Sequence, residues 1–282
     1  MGKINFKSYF KLLRIVDARG YFLLALFGFF LAKGFLFPLK DILLFWLIVF
    51  LLSGFSFSIN DCFDQREDRF DKKKRNPIVL KEISFKKALI FSLLLAVFGL
   101  IFASFSGKEV FLLCLAGVIL IFLYSSPPFR LKGKPPLDLI THGFFGGLLI
   151  LFFPFLFFKT QLNSFHYLLF LSLFYFSAIL ELRNEYEDYE VDKRGGLKTT
   201  AHILDYKKTE RILRYLAIFY SLFLLPIFYS LSQINFLFLF LILTILFFTL
   251  FLFFENHKLV KNYKLFDCYN FLAYSLILLA NL

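Results

Sequence analysis

The sequence predicts an all-α integral membrane protein: a single polytopic domain over residues 1–282 with about nine transmembrane helices. Three observations predict it. Apolar runs of about 18–20 residues recur along the chain, long enough to cross a bilayer as helices. Hydrophobic residues make up 59% of the chain, against about 45–50% in soluble domains, so a water-soluble core is excluded. And 28 of the 32 Lys and Arg residues fall in alternate gaps between those runs, the pattern by which cations mark the cytoplasmic side.

The N-terminal stretch "MGKINFKSYFKLLRIVDARG" is basic. It lacks a short apolar segment ending in a small-residue cleavage site, so no cleaved signal peptide is read there. Apolar runs follow at 21–38 and 42–59, and the second closes on "NDCFDQREDRFDKKKRNPI". Runs at 87–106 and 110–126 lead into "YSSPPFRLKGKPPLDLITHG", where Pro127 and Pro128 fix the start of a loop. The run at 137–158 carries Gly143, Gly146 and Gly147, which suit close helix packing. The run at 166–182 ends on a second polar stretch, "NEYEDYEVDKRGGLKTTA". Runs at 211–231, 235–254 and 265–282 complete the chain, the last being the most polar through Asp267, Asn270 and Asn281.

The cation distribution places the N-terminus in the cytoplasm, and nine spans then leave the C-terminus outside. The net charge of +12 sits in the gaps, which argues for a membrane topology and against nucleic-acid binding. Cys62, Cys114 and Cys268 show neither disulfide nor zinc spacing. His142, His166, His202 and His257 have no ligand spacing and read as loop or helix-end residues.

The two polar stretches share one pattern, N-[DE]-x-x-D-x-x-x-D. Asn60, Asp61, Asp64 and Asp68 align with Asn184, Glu185, Asp188 and Asp192, and each copy ends on a cation, Arg69 or Lys193. The copies lie four spans apart, so both face the same side. The repeat is therefore parallel: two pseudo-repeated four-helix units plus a last helix around a central cavity. An inverted repeat, common in transporters, would place them on opposite sides. If the span ends continue as helices, residues at i, i+4 and i+8 share one face. Asn60, Asp64 and Asp68 form one column of oxygen ligands and Asn184, Asp188 and Asp192 another. Like charges at i, i+4 repel, so both columns call for a cation. Oxygen-only ligands suit Mg²⁺ before Ca²⁺ or Zn²⁺. Asp71 has no counterpart in the second copy and reads as part of a solvated loop.

These residues resemble the UbiA superfamily of intramembrane prenyltransferases. "NDCFDQRED" resembles its NDxxDxxxD motif, "DYEVD" its DxxxD motif, and "GGLKTTA" the tail that follows it. The loop from Tyr124 resembles the family's Y-S-x-P-P-x-R-x-K. The resemblance spans essentially the whole chain. It implies Mg²⁺-dependent transfer of a prenyl group from an isoprenyl diphosphate to a hydrophobic, lipid-like or aromatic acceptor. Two Mg²⁺ ions would be held by Asn60, Asp61, Asp64, Asp68, Asn184, Asp188 and Asp192. Asp64, Asp68, Asp188 and Asp192 would carry catalysis. Asn60, Arg69, Arg130, Lys132, Lys193, Lys198 and Tyr124 would contact substrate, and Tyr186 is a further aromatic candidate beside the allylic carbon. Some family members place an Asp seven residues before the second motif; here that position is Glu181, a longer carboxylate. Arg14 resembles an early family Arg but reads more simply as a topology marker. Where many members read R-P-[IL], this chain has Arg75, Asn76, Pro77 and Ile78. The expected location is the plasma membrane, with the site opening to the cytoplasm.

Two other classes compete. A secondary transporter or cation-binding membrane protein would place its acids near mid-membrane, whereas these cluster at span ends on one side. A CDP-alcohol-phosphotransferase-like enzyme would carry D-G-x-x-A-R ahead of its aspartates, and Ala18-Arg19 stands alone here. Metal-dependent release of diphosphate separates the enzyme from the transporter.

Overall fold

The computed structural model describes residues 6–33, 38–71, 75–231, 234–253 and 260–281, and the regular structure among them is helical throughout. Lys72, Lys73, Lys74 and His257, which entered the charge and histidine readings, lie outside the described residues.

In chain order the helices are α1 (Phe6–Leu12), α2 (Arg19–Lys33), α3 (Leu39–Phe63), α4 (Gln65–Asp68), α5 (Phe85–Ser104), α6 (Lys108–Ser125) and α7 (Leu137–Gly143). A π turn (Phe144–Leu148) joins α7 to α8 (Leu149–Phe157). Then come α9 (Ser164–Glu187), α10 (Tyr189–Gly195), α11 (Thr200–Leu204), α12 (Tyr206–Phe223), α13 (Leu225–Ser230), α14 (Ile234–Phe253) and α15 (Val260–Ala280). Among the described residues, six spans are long and apolar enough to cross a membrane: α3, α5, α6, α7 through α8, α9, and α12 with α13. The other three expected runs appear as shorter apolar helices at Arg19–Ala32, Asn235–Thr249 and Leu265–Ala280.

The outward faces explain why such helices belong in lipid. On α5, Leu94, Val97, Phe98 and Ile101 are exposed, and on α14 so are Phe238, Ile242 and Ile245. A helix that is apolar all round has no face to present to water. Inside, one core joins α8, α9 and α12 to α15 around Phe155, Leu173, Tyr220, Phe240 and Tyr269. A second joins α2, α3, α5, α6 and α8 around Phe29, Phe45, Ile48 and Phe153. Helix contacts run from α2 to α3, α5, α6, α8, α9 and α12, then through α13 and α14 to α15, and return from α15 to α2. α2 also packs directly on α8.

Helix starts follow local chemistry. Pro38, in extended backbone, precedes α3. Asn163 caps α9, accepting from the His166 amide at 3.3 Å while His166 Nδ1 accepts from the Asn163 amide at 3.1 Å. His166 is thus a helix-end residue, as its lack of ligand spacing suggested.

The glycines of 143–147 bring α7 and the π turn onto α9. A Cβ on Gly147 would lie 2.2 Å from the Leu173 carbonyl oxygen, and one on Gly143 would lie 2.8 Å from the Phe174 ring. Gly147→Val is therefore expected to destabilise the fold by at least about 1–3 kcal/mol, read as a lower thermal midpoint in detergent. Gly20→Ala is the control: its Cβ would meet nothing within 4 Å, and its midpoint should not fall.

Candidate active site

Both acidic motifs sit at helix breaks of the same form. α3 carries Asn60 and Asp61, stops at Asp64 (φ −92°, ψ 14°), and the chain resumes as α4. α9 carries Asn184 and Glu185, stops at Asp188 (φ −96°, ψ 8°), and resumes as α10. The continuous columns expected from the spacing are thus each broken at the first aspartate. Asp68 N still donates to Asp64 O, and Asp192 N to Asp188 O, both at 2.9 Å, so the backbone hydrogen bonding carries across each break.

The two motifs face one chamber. Asn60, Asp64, Glu67, Asp68 and Asp71 line it from the first motif, and Glu181, Asn184, Glu185, Asp188 and Asp192 from the second. Eight carboxylates thus share a lining that holds two permanent cations, Arg14 and Lys132. The walls also touch. A Cβ on Gly195 of α10 would lie 2.7 Å from Glu67 Cγ and 2.9 Å from Glu67 Cα, so only a glycine lets α10 lie flush on α4. Asp192 is pushed up to about 7, first by burial and then by Asp188, Asp64 and Glu67, against the opposing pull of Lys132.

The loop after Pro128 supplies cations to the first wall. Arg130 has a left-handed backbone (φ 41°), held by its amide on Ser126 O at 2.8 Å. Its guanidinium reaches Glu67 at 2.9 Å and Asp64 at 3.5 Å, and Lys132 Nζ pairs with Asp64 Oδ2. Asn76 braces the same wall from below. Its Nδ2 donates to Asp68 Oδ2 at 2.7 Å and to the Asp61 carbonyl at 2.8 Å. The residue that departs from the R-P-[IL] pattern is therefore the one that orients Asp68. On the second wall, Tyr124 OH donates to Glu181 Oε1. Thr200 donates its amide and its hydroxyl to buried Asp138, both at 2.7 Å, and the Ala201 amide donates to Glu185 Oε2 at 3.0 Å. These contacts anchor the "KTTA" segment to the ends of α7 and α9.

The expected site residues separate into groups. Asn60, Asp64, Asp68, Asn184, Asp188, Asp192, Lys132 and Tyr124 line the chamber. Asp61 is buried and turned from it, with Arg14 Nη1 3.5 Å from its Oδ1. Arg130 stands behind the first wall, on Asp64 and Glu67. Arg69, Lys193 and Lys198 are exposed and do not line the chamber. Tyr186 lies away from it, stacked on Tyr206 at 4.4 Å. Three other readings change. Asp71 lines the chamber rather than a solvated loop, and Arg14 lines it too, over the Phe57 ring at 5.1 Å. His142 also stands on the chamber wall. Glu67 gave one faint signal, an acid inside the first motif at an off-pattern position.

An apolar tunnel adjoins the chamber. Ile48, Leu52, Val118 and Phe153 are among its walls, and Tyr21, Ser56, Ile121 and Phe145 line both spaces. Among the described residues, no three His, Cys, Asp or Glu side chains form a ready-made metal cage. The donor set nonetheless fits Mg²⁺, which takes one or two carboxylates and completes its shell with water and substrate phosphate. The excess of carboxylates, and the repulsion that raises Asp192, are what a divalent cation would relieve.

A helical membrane bundle with paired acidic motifs over an apolar tunnel defines the class of intramembrane prenyltransferases. The chain belongs to the UbiA prenyltransferase family, whose model matches residues 21–277. Digeranylgeranylglyceryl phosphate synthase of Saccharolobus solfataricus is 30% identical over 76% of this chain and 75% of that protein. The synthase of the same name from Methanococcus maripaludis is 29% identical over 92% of this chain and 89% of its own. A UbiA homolog from Archaeoglobus fulgidus, solved bound to DMAPP and Mg²⁺, superposes with a TM-score of 0.78 over 97% of both chains at 21% identity. The protein is a prenyltransferase, which sets aside the transporter and CDP-alcohol readings.

Asp138→Ala is expected to leave the partly buried Thr200 amide without this partner, at about 1–3 kcal/mol locally. Faster amide exchange or protease cutting across residues 196–204, with α3 unchanged, is the measurement.

Proposed function

We propose that this prenyltransferase takes an allylic isoprenyl diphosphate, with its head in the carboxylate chamber and its tail in the tunnel. The observation that carries the reading is that the two spaces adjoin, with Tyr21, Ser56, Ile121 and Phe145 lining both. A ligand that is polyanionic at one end and hydrocarbon at the other matches it. Asp64, Asp68, Asp188 and Asp192, with Asn60 and Asn184, would hold Mg²⁺, two ions following from two walls. When bound, Mg²⁺ supplies positive charge to the diphosphate as it leaves. Lys132 adds a fixed cation in the chamber, and Arg130 keeps Asp64 and Glu67 in place. Asp61, paired with Arg14, acts as a brace. The exposed Arg69, Lys193 and Lys198 would draw the anionic donor towards the mouth.

For the acceptor we favour a glycerol phosphate lipid with a free hydroxyl, because the matched relatives are named for making digeranylgeranylglyceryl phosphate. We read nine crossings, a cytoplasmic N-terminus and a chamber open to the cytoplasmic side of the plasma membrane, on the strength of the 28-of-32 charge bias.

Transfer of a labelled prenyl group to such a lipid tests the reading. Asp64→Ala and Asp188→Ala should each cut it about 100-fold or more, since several kcal/mol of leaving-group stabilisation is at stake. Chelation of Mg²⁺ should stop the reaction, and re-addition restore it. Full activity in both variants would overturn the reading.

A further inference from the structure

The neck between chamber and tunnel carries a polar pair that diphosphate binding leaves unused. His142 is the penultimate residue of α7 and stands on the chamber wall. Its ring lies 5.0 Å from that of Phe145, which lines both spaces. Glu181 of α9 faces it, with Oε2 3.4 Å from His142 Nε2. The other carboxylate oxygen of Glu181 accepts from Tyr124 OH.

Ser177 Oγ lies 3.0 Å from the His142 carbonyl, to which it donates, and 3.0 Å from His142 Nδ1; the Ser177 carbonyl, which can only accept, lies 3.2 Å from Nδ1. A hydrogen on Nδ1 suits that carbonyl and leaves the Nε2 lone pair beside Glu181 Oε2, which also accepts from Asn184 Nδ2 at 3.4 Å. Packing makes room for this arrangement: a Cβ on Gly146 would lie 2.8 Å from Ser177 Oγ and 3.0 Å from His142 Cε1.

We propose that His142, backed by Glu181, accepts the hydroxyl proton of the prenyl acceptor. The proposal rests on the donor placement above. A head in the chamber and a tail in the tunnel put the reacting carbon at the neck, where the acceptor oxygen must approach. The acceptor O–H donates to Nε2, and its oxygen bonds to the allylic carbon. The bond from that carbon to the diphosphate oxygen breaks, and its electron pair leaves with the diphosphate. The proton stays on Nε2, as an imidazolium held against the Glu181 carboxylate. The balance needs no further reagent, and the pair favours acceptors whose nucleophile is a hydroxyl.

The test uses the full chain in detergent or nanodiscs, a labelled allylic diphosphate, Mg²⁺, and a glycerol phosphate lipid with one free hydroxyl. His142→Ala and His142→Gln are each expected to lower the transfer rate about 100-fold or more. The donor KM and the Mg²⁺-dependent thermal shift on donor binding should stay within a few-fold of the parent. Added imidazole should restore part of the His142→Ala rate and none of that of Asp64→Ala. Transfer near the parent rate in either His142 variant overturns the proposal, and so does a loss matched by an equal loss of donor binding. Asp64→Ala, run alongside, keeps the two readings apart. An active Asp64→Ala overturns the donor site itself, whereas an inactive Asp64→Ala beside an active His142→Ala overturns only the role of His142.

Discussion

Mutual repulsion among carboxylates organises the functional end of this protein. Eight of them line one chamber with two permanent cations, at the head of a bundle otherwise built from Phe, Leu and Ile. Such a cluster is costly where water is scarce, and the surrounding structure is arranged to hold it. Arg130 and Lys132 are turned onto the first wall by a left-handed residue, and Arg14 closes on Asp61 from 47 residues earlier in the chain. Asn76 fixes Asp68, and Asp138 fixes the segment after the second motif. What these partners leave is an excess of negative charge in the chamber lining.

The helix breaks at Asp64 and Asp188 give the repulsion its geometry. A straight helix would carry each motif onward as one column. Instead each wall bends at its first aspartate and lays a short helix across the mouth, α4 on one side and α10 on the other. These short helices meet where Gly195 lies against Glu67, so the two walls are fixed relative to one another. The two motifs thus share one backbone conformation at matching positions.

Below the chamber the physics reverses. The tunnel is apolar, and the two spaces share four lining residues. His142 and Tyr124 pack against one of these, Phe145, and Glu181 stands beside both. The π turn after His142, and the glycines that bring it onto α9, are the packing devices that place the imidazole there.

Much of this was legible in the residues themselves. Runs of about 20 apolar residues can only be satisfied by helices in lipid, so the fold class followed from the pattern of hydropathy. The twice-repeated N-[DE]-x-x-D-x-x-x-D, with its flanking cations, identified Asn60, Asp64, Asp68, Asn184, Asp188 and Asp192, all of which line the chamber. Tertiary structure decided the rest, because spacing along one helix carries no information about which distant side chain arrives opposite. Arg14, Asp71 and His142 looked like a topology marker, a loop acid and a helix-end residue; packing turned them inward. Arg69, Lys193 and Lys198 sat beside the motifs in sequence, yet the helix breaks left them facing water. The sequence alone determined a membrane bundle with two acidic motifs at one end. Only the meeting of α3 and α4 with α6, α7, α9 and α10 decided which charges share the chamber, since the direction of a side chain at a helix end is set by its cap and by the surface packed against it.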